Sequence, residues 1–298
     1  MALNAWMMLV TLSVLWGGSF FFNAILLREL SPFGVVFGRV MIGFLILYAI
    51  LRLRGQSLDL VRNWRAYLVM GTLNNFVPFN LIVFAQTFID SGLASIFNAT
   101  TPLFAVLLAF LAVREENVTA NKLAGVILGI IGVAVLFDLG TGRPFDRNTL
   151  IGGALVMLAA LSYAVSGLFA RRFHAASPPA TACGMLLASS ILCLPPALYY
   201  DGTRFATLSA GGVGGLLGIG VLCTAIAFVL YFRILQLAGA INVLLVTLLV
   251  PVSASLLGVL FLGETVTVVE VAGMMIIGLG LLTVDGRALA WVTRRRRA

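Results

Sequence analysis

The sequence predicts an all-α integral membrane protein, ten transmembrane helices arranged as two inverted five-helix repeats. Three observations carry that expectation. Hydrophobic residues fill 61% of the 298 positions and charged residues only 10%, with a mean hydropathy of +1.10 that excludes a soluble globular domain. Apolar runs of the length needed to cross the hydrocarbon, about 20 residues each, follow one another along the chain. A segment in the first half resembles one in the second.

Runs bounded by charges, prolines and glycine clusters place the spans at 4–26, 32–52, 66–88, 91–112, 119–137, 150–170, 179–200, 210–233, 238–262 and 267–288. They are too long and continuous for the alternating strands of a membrane barrel. The first opens with MALNAWMMLV, which lacks the positive n-region of a secretory signal and is expected to stay as a span. The second contains Arg39, the one unambiguous cation inside a run. The third and fourth mix Asn, Gln and Thr with Pro78 and Pro102. The fifth and tenth carry glycines at close spacing (Gly125, Gly129, Gly132; Gly273, Gly278, Gly280), which let helices approach closely within the chain. The seventh holds Cys183 and Cys193 and the eighth Cys223, all in apolar surroundings and without metal-site spacing. The eighth begins with a glycine run that lacks the Lys-Ser/Thr ending of a phosphate loop. The ninth carries Pro251.

The net charge of +8 does not describe a nucleic-acid surface. Arg52, Arg54, Arg62, Arg65, Arg114, Lys122, Arg171, Arg172, Arg233, Arg287 and Arg294 to Arg297 fall beside span ends on one side, fourteen in all, against four on the other (Arg28, Arg143, Arg147, Arg204). Cytoplasmic flanks carry the cationic excess, so both termini are expected in the cytoplasm of a bacterial-type inner membrane.

ASIFNATTPLFAVLLAFLAVREENVT at 94–119 resembles VLLVTLLVPVSASLLGVLFLGETVT at 243–267, pairing Pro102 with Pro251 and Glu115 with Glu264. The arginine bias of the connections reverses between the halves. Five crossings per unit force the second copy to insert upside down, the inverted repeat of secondary transporters. The expected division is a first repeat at 1–138, a connecting loop at 139–149, a second repeat at 150–290 and a basic tail at 291–298.

VLWGGSFF at 14–21, the Pro102 and Pro251 helices each followed by an acid, and the glycine-rich GVILGIIGVAVL and GMMIIGLGLLTV together resemble the EamA-type branch of the drug/metabolite transporter superfamily. The resemblance implies a carrier in which helices 1–4 and 6–9 surround a central cavity while 5 and 10 pack peripherally. It implies small organic solutes as cargo, often amino acids or other metabolites.

Polar groups at membrane depth are costly and mark cavities or helix contacts. Proline frees a backbone carbonyl, so Asn74 and Asn75 near Pro78, and Asn98 and Thr101 beside Pro102, are candidates for the cavity wall. Arg39 is the candidate anchor for a solute carboxylate, with snorkelling to the headgroups as the alternative. Trp16 with Ser19 and Tyr163 with Ser166 share a three-residue spacing in matching places of the two halves. Phe79 and Phe228 supply apolar wall, and Asn242 and Thr247 are the polar counterparts on the ninth helix.

No catalytic residue, metal site or cofactor is expected, and the partners are a small-molecule solute and lipid, with a monomer favoured over a dimer. The eleven acids lie near span ends or in connections and His174 sits beside Arg171 and Arg172, so no buried acid is expected and Glu115, Glu116, Glu264 and Glu270 read as helix-end caps. The expected function is a secondary transporter exporting small metabolites, amino acids first, by uniport or exchange. A proton-coupled exporter of lipophilic solutes and a channel are the alternatives; an enzyme would need converging catalytic groups that the sequence lacks.

Overall fold

The computed structural model describes residues 3–112, 120–137, 146–170, 177–238 and 246–285, and every regular element among them is helical. Seven helices are long and apolar enough to cross a membrane, and three shorter apolar helices complete the order. We number them α1 (Leu3–Leu26), α2 (Pro32–Leu53), α3 (Leu60–Gly71, Thr72–Phe76 and Val77–Ala85), α4 (Ser91–Asn98 and Thr101–Ala112) and α5 (Ala120–Leu136). The second half repeats the order as α6 (Arg147–Ala170), α7 (Pro178–Asp201), α8 (Ala210–Leu217, Gly218–Ile226 and Ala227–Ala238), α9 (Val246–Leu257 and Gly258–Leu262) and α10 (Val268–Asp285).

The expected start of the third span at 66 is corrected to Leu60. The added turns expose Val61 and Trp64 beside Arg62 and Arg65, an amphipathic stretch suited to the headgroup layer. An average over apolar character passes over such a stretch because its polar face cancels its apolar one.

Equivalent helices of the two halves begin and bend alike. Both α2 and α7 open on a Ser-Pro pair: Ser31 Oγ accepts from the Gly34 N–H at 3.3 Å and Ser177 Oγ from the Ala180 N–H at 3.4 Å, with proline in the first turn. Both α3 and α8 change to π-helical turns, at Thr72–Phe76 and Gly218–Ile226. Gly71 and Gly220 stand 149 positions apart, the same spacing as Pro102 and Pro251. A Cβ on Gly71 would sit 2.7 Å from the Met185 carbonyl of α7, and one on Gly220 would sit 2.6 Å from Ile42 Cβ of α2. The third helix of each half therefore packs tightly on the second helix of the other.

The glycines of α5 and α10 bring those two helices together within the chain: a Cβ on Gly132 would meet Ile277 at 2.7 Å and one on Gly280 the Gly125 carbonyl at 2.8 Å. Two apolar clusters fill the interior, one around Leu12, Phe97, Val156 and Val250, the other around Val36, Val40, Leu186 and Ile219. Tyr163 packs against both. Cys183, Cys193 and Cys223 are free thiols buried in this packing.

Candidate functional site

Arg39 is turned into the bundle rather than toward the headgroups, with 8% of its surface exposed. Its Nε donates to Thr224 Oγ1 at 3.1 Å and its Nη2 to Ser19 Oγ at 3.3 Å, while the guanidinium lies 3.9 Å from the centroid of the Phe79 ring. Tyr163 of α6 packs against the apolar cluster that holds Phe79. Four helices drawn from both halves thus converge on one cation: α1, α2 and α3 from the first, α8 from the second.

The π-helical turn of α8 explains why Thr224 can serve. Its hydroxyl donates to the Ile219 carbonyl five residues back, at 2.8 Å, leaving the oxygen lone pairs directed at Arg39. Burying a cation costs several kcal/mol. Hydrogen bonds to a charged group return about 1.5–3 kcal/mol each and a buried ring face about 2 kcal/mol. The neutral partners offset the burial of the side chain but leave its charge in place, because no carboxylate among the described residues stands within ion-pair distance.

The second polar cluster follows from Pro78. In a π-helical turn the Leu73 carbonyl would accept from residue 78, and proline has no N–H to give. Ser162 Oγ of α6 donates to that carbonyl at 2.7 Å. One turn on, Ser166 Oγ donates to Asn74 Oδ1 at 3.1 Å and Asn74 Nδ2 to Asn75 Oδ1 at 3.3 Å. This polarity leaves Asn75 Nδ2, fully buried, as a donor without a partner among the described residues. Asn75 is also 149 positions before Thr224, so the two π-helical turns present polar side chains at equivalent places.

The other expected site residues are placed as follows. Trp16 packs on the first apolar cluster and faces Tyr231 at 5.7 Å between ring centroids, and Phe228 stacks on Phe232 at 6.2 Å. Asn98 ends the first stretch of α4, its Oδ1 buried and without a partner among the described residues, and Thr101 Oγ1 donates to the Asn98 carbonyl at 2.8 Å where the helix is interrupted. Thr247 lines a cavity of about 30 Å³ with Ala99, Pro251, Met274 and Ile277, between α4, α9 and α10, apart from the Arg39 cluster. Asn242 lies outside the described residues. Thr224 was missed in the sequence; so was Asn23, whose Nδ2 donates to Gln86 Oε1 at 2.8 Å while Gln86 Nε2 donates to the Phe20 carbonyl.

The expectation of no buried acid is corrected at Asp201. It stands at the end of α7, as the sequence indicates, yet is wholly covered by protein because α2 begins against it. Glu270 pairs with Thr267 in a reciprocal helix-start cap, N–H to side chain in both directions at 3.2 Å. At the start of α4, partial burial and then neighbouring Glu264 push the Asp90 carboxyl above its ordinary range.

An all-helical bundle that spans the bilayer and gathers polar side chains from both halves around an interior cation has the architecture of a membrane transporter. The model of the EamA-like transporter family matches the chain twice, over residues 3–138 and 150–284. The uncharacterized transporter YoaV of Bacillus subtilis is 23% identical over 275 residues, 92% of this chain and 94% of that one. The uncharacterized inner membrane transporter YedA of Escherichia coli is 25% identical over 286 residues, 92% of this chain and 89% of that one. A solved crystal structure shares the fold with a TM-score of 0.67 at 21% identity, covering 94% of this chain and 95% of its own. The chain belongs to the EamA-like transporter family, whose members are transporters rather than enzymes.

Proposed function

We propose that the protein is a secondary transporter that exports small carboxylated metabolites, amino acids first among them, by alternating exposure of the Arg39 site. The observation that carries this reading is a buried guanidinium held by Ser19, Thr224 and Phe79 with no acidic partner among the described residues. A carboxylate offers the acceptor geometry that a guanidinium fork matches. Asn75 Nδ2, on the same helix as Phe79, is a second buried donor without a partner among the described residues. Uniport or exchange fits a site whose named partners are neutral. The excess of Lys and Arg at one end of the bundle favours both termini in the cytoplasm of an inner membrane.

Counterflow into liposomes carrying purified protein tests the reading. Amino acids are expected to drive saturable uptake of labelled amino acid, and the corresponding amino amides, which lack the carboxylate, are not. Equal counterflow by acids and amides would exclude the carboxylate as the recognised group.

A further inference from the structure

Among the described residues, four connections share one end of the bundle: those between α1 and α2, α3 and α4, α7 and α8, and α9 and α10. At this end the same arrangement occurs three times. Asp201 accepts from both the N–H (2.9 Å) and the hydroxyl of Ser31. Glu264 accepts from the N–H (2.9 Å) and hydroxyl (2.7 Å) of Ser91, and from the Gly92 N–H at 3.2 Å. Glu29 accepts from the N–H (2.8 Å) and hydroxyl (2.6 Å) of Ser209. Each serine opens a helix, where unpaired N–H groups and the helix dipole favour a carboxylate.

Two features separate these clasps from ordinary capping. Every one of them crosses from one half of the chain to the other, so none serves to hold a single repeat together. Each also has a glycine set against its carboxylate: a Cβ would approach Asp201 Oδ2 to 2.3 Å from Gly34, Glu264 Oε2 to 2.1 Å from Gly258, and Glu29 Oε1 to 2.9 Å from Gly212. The two connections at α1–α2 and α7–α8 exchange clasps reciprocally, each giving a carboxylate to the other's Ser-x-x-Gly helix start (Ser31 to Gly34, Ser209 to Gly212).

We propose that these three carboxylate–serine clasps are the gate that closes this end of the transporter, and that all three release when the two repeats part to expose the central site there. The proposal rests on the alternating-access reading above. By the charge distribution this is the outer face, so release of exported solute is the step the clasps control.

The test uses the full chain in nanodiscs, with Cys183, Cys193 and Cys223 replaced by Ala and a reporter at Asn23→Cys. Asn23 is 1% exposed and lies on α1, six residues before Glu29 in the turn that follows that helix. Alkylation by a charged maleimide is measured with Asp201→Ala, Glu29→Ala and Glu264→Ala, singly and together. Each single variant is expected to react at least twofold faster, and the triple variant at least tenfold faster. Gly129→Ala, which crowds Leu103 far from the clasps, is the control for simple loosening and is expected to react at the parent rate. Unchanged rates in folded single variants, or an equal rise in the control, overturn the gate. Because labelling needs no solute, a failure of amino acid counterflow would count against the cargo alone.

Discussion

Arg39 Nε and Thr224 Oγ1 meet at 3.1 Å, joining the second helix of the first half to the third helix of the second half. The contact exists because a π-helical turn in α8 sends the Thr224 hydroxyl back to the Ile219 carbonyl and leaves its oxygen free to accept. Removing one acceptor from a buried charge costs about 1.5–3 kcal/mol. Thr224→Val is therefore expected to weaken solute affinity by roughly tenfold or more, while Thr224→Ser retains it. Half-saturation in counterflow measures both.

Asn75 is fully buried, its Nδ2 without a partner among the described residues. An unmet buried donor costs about 1–3 kcal/mol, a burden that a binding site tolerates and a purely structural position does not. Asn75→Leu is expected to leave the melting temperature in detergent unchanged or higher while lowering counterflow several-fold. A clear loss of stability with intact transport would make Asn75 structural.

Gly71 and Gly220 set the closeness of the two cross-half contacts. A methyl at either meets a neighbour at 2.7 or 2.6 Å. Overpacking of this kind costs about 1–3 kcal/mol. Gly71→Ala and Gly220→Ala are each expected to lower the melting temperature, and Gly214→Ala, with nothing within 4 Å, is expected to leave it level or raise it.

Burial and then Glu264 raise the Asp90 carboxyl above its ordinary value of 3.8. For an acid raised in the folded state, ionisation opposes folding. The penalty is absent below the ordinary value and complete once pH exceeds the raised one. Asp90→Asn, which keeps a good helix-start residue, is expected to stabilise the protein at neutral pH, with the advantage vanishing as pH falls toward about 4. Thermal unfolding across that range checks the sign.

Apolar length and charge placement made the spans legible, and the cost of a lone cation among apolar residues made Arg39 legible. Ser19 and Phe79 were also read from the sequence as residues of the cavity wall, and Thr224 was not. Thr224 becomes a partner through a shift in backbone hydrogen bonding that leaves no mark in hydropathy, although its 149-residue spacing from Asn75 was available once the repeat was aligned. The clasps were half visible. Glu264 reads as a helix-end cap from its position, but a sequence says nothing about which helix it caps, and the one it reaches is α4 in the other half. Asp201 sits where an exposed acid is expected, and only the packing of α2 against α7 buries it. Ser-x-x-Gly at 31–34 and 209–212 is the signal that could have paired those two connections.

The central claim is that the buried guanidinium of Arg39 holds the carboxylate of the transported solute. Amino acid counterflow by Arg39→Gln, inserted and thermally stable at the parent's level, tests it most directly. The account predicts a half-saturation raised at least tenfold, about 1.4 kcal/mol, with Arg39→Lys intermediate. An unchanged half-saturation in the glutamine variant would contradict it.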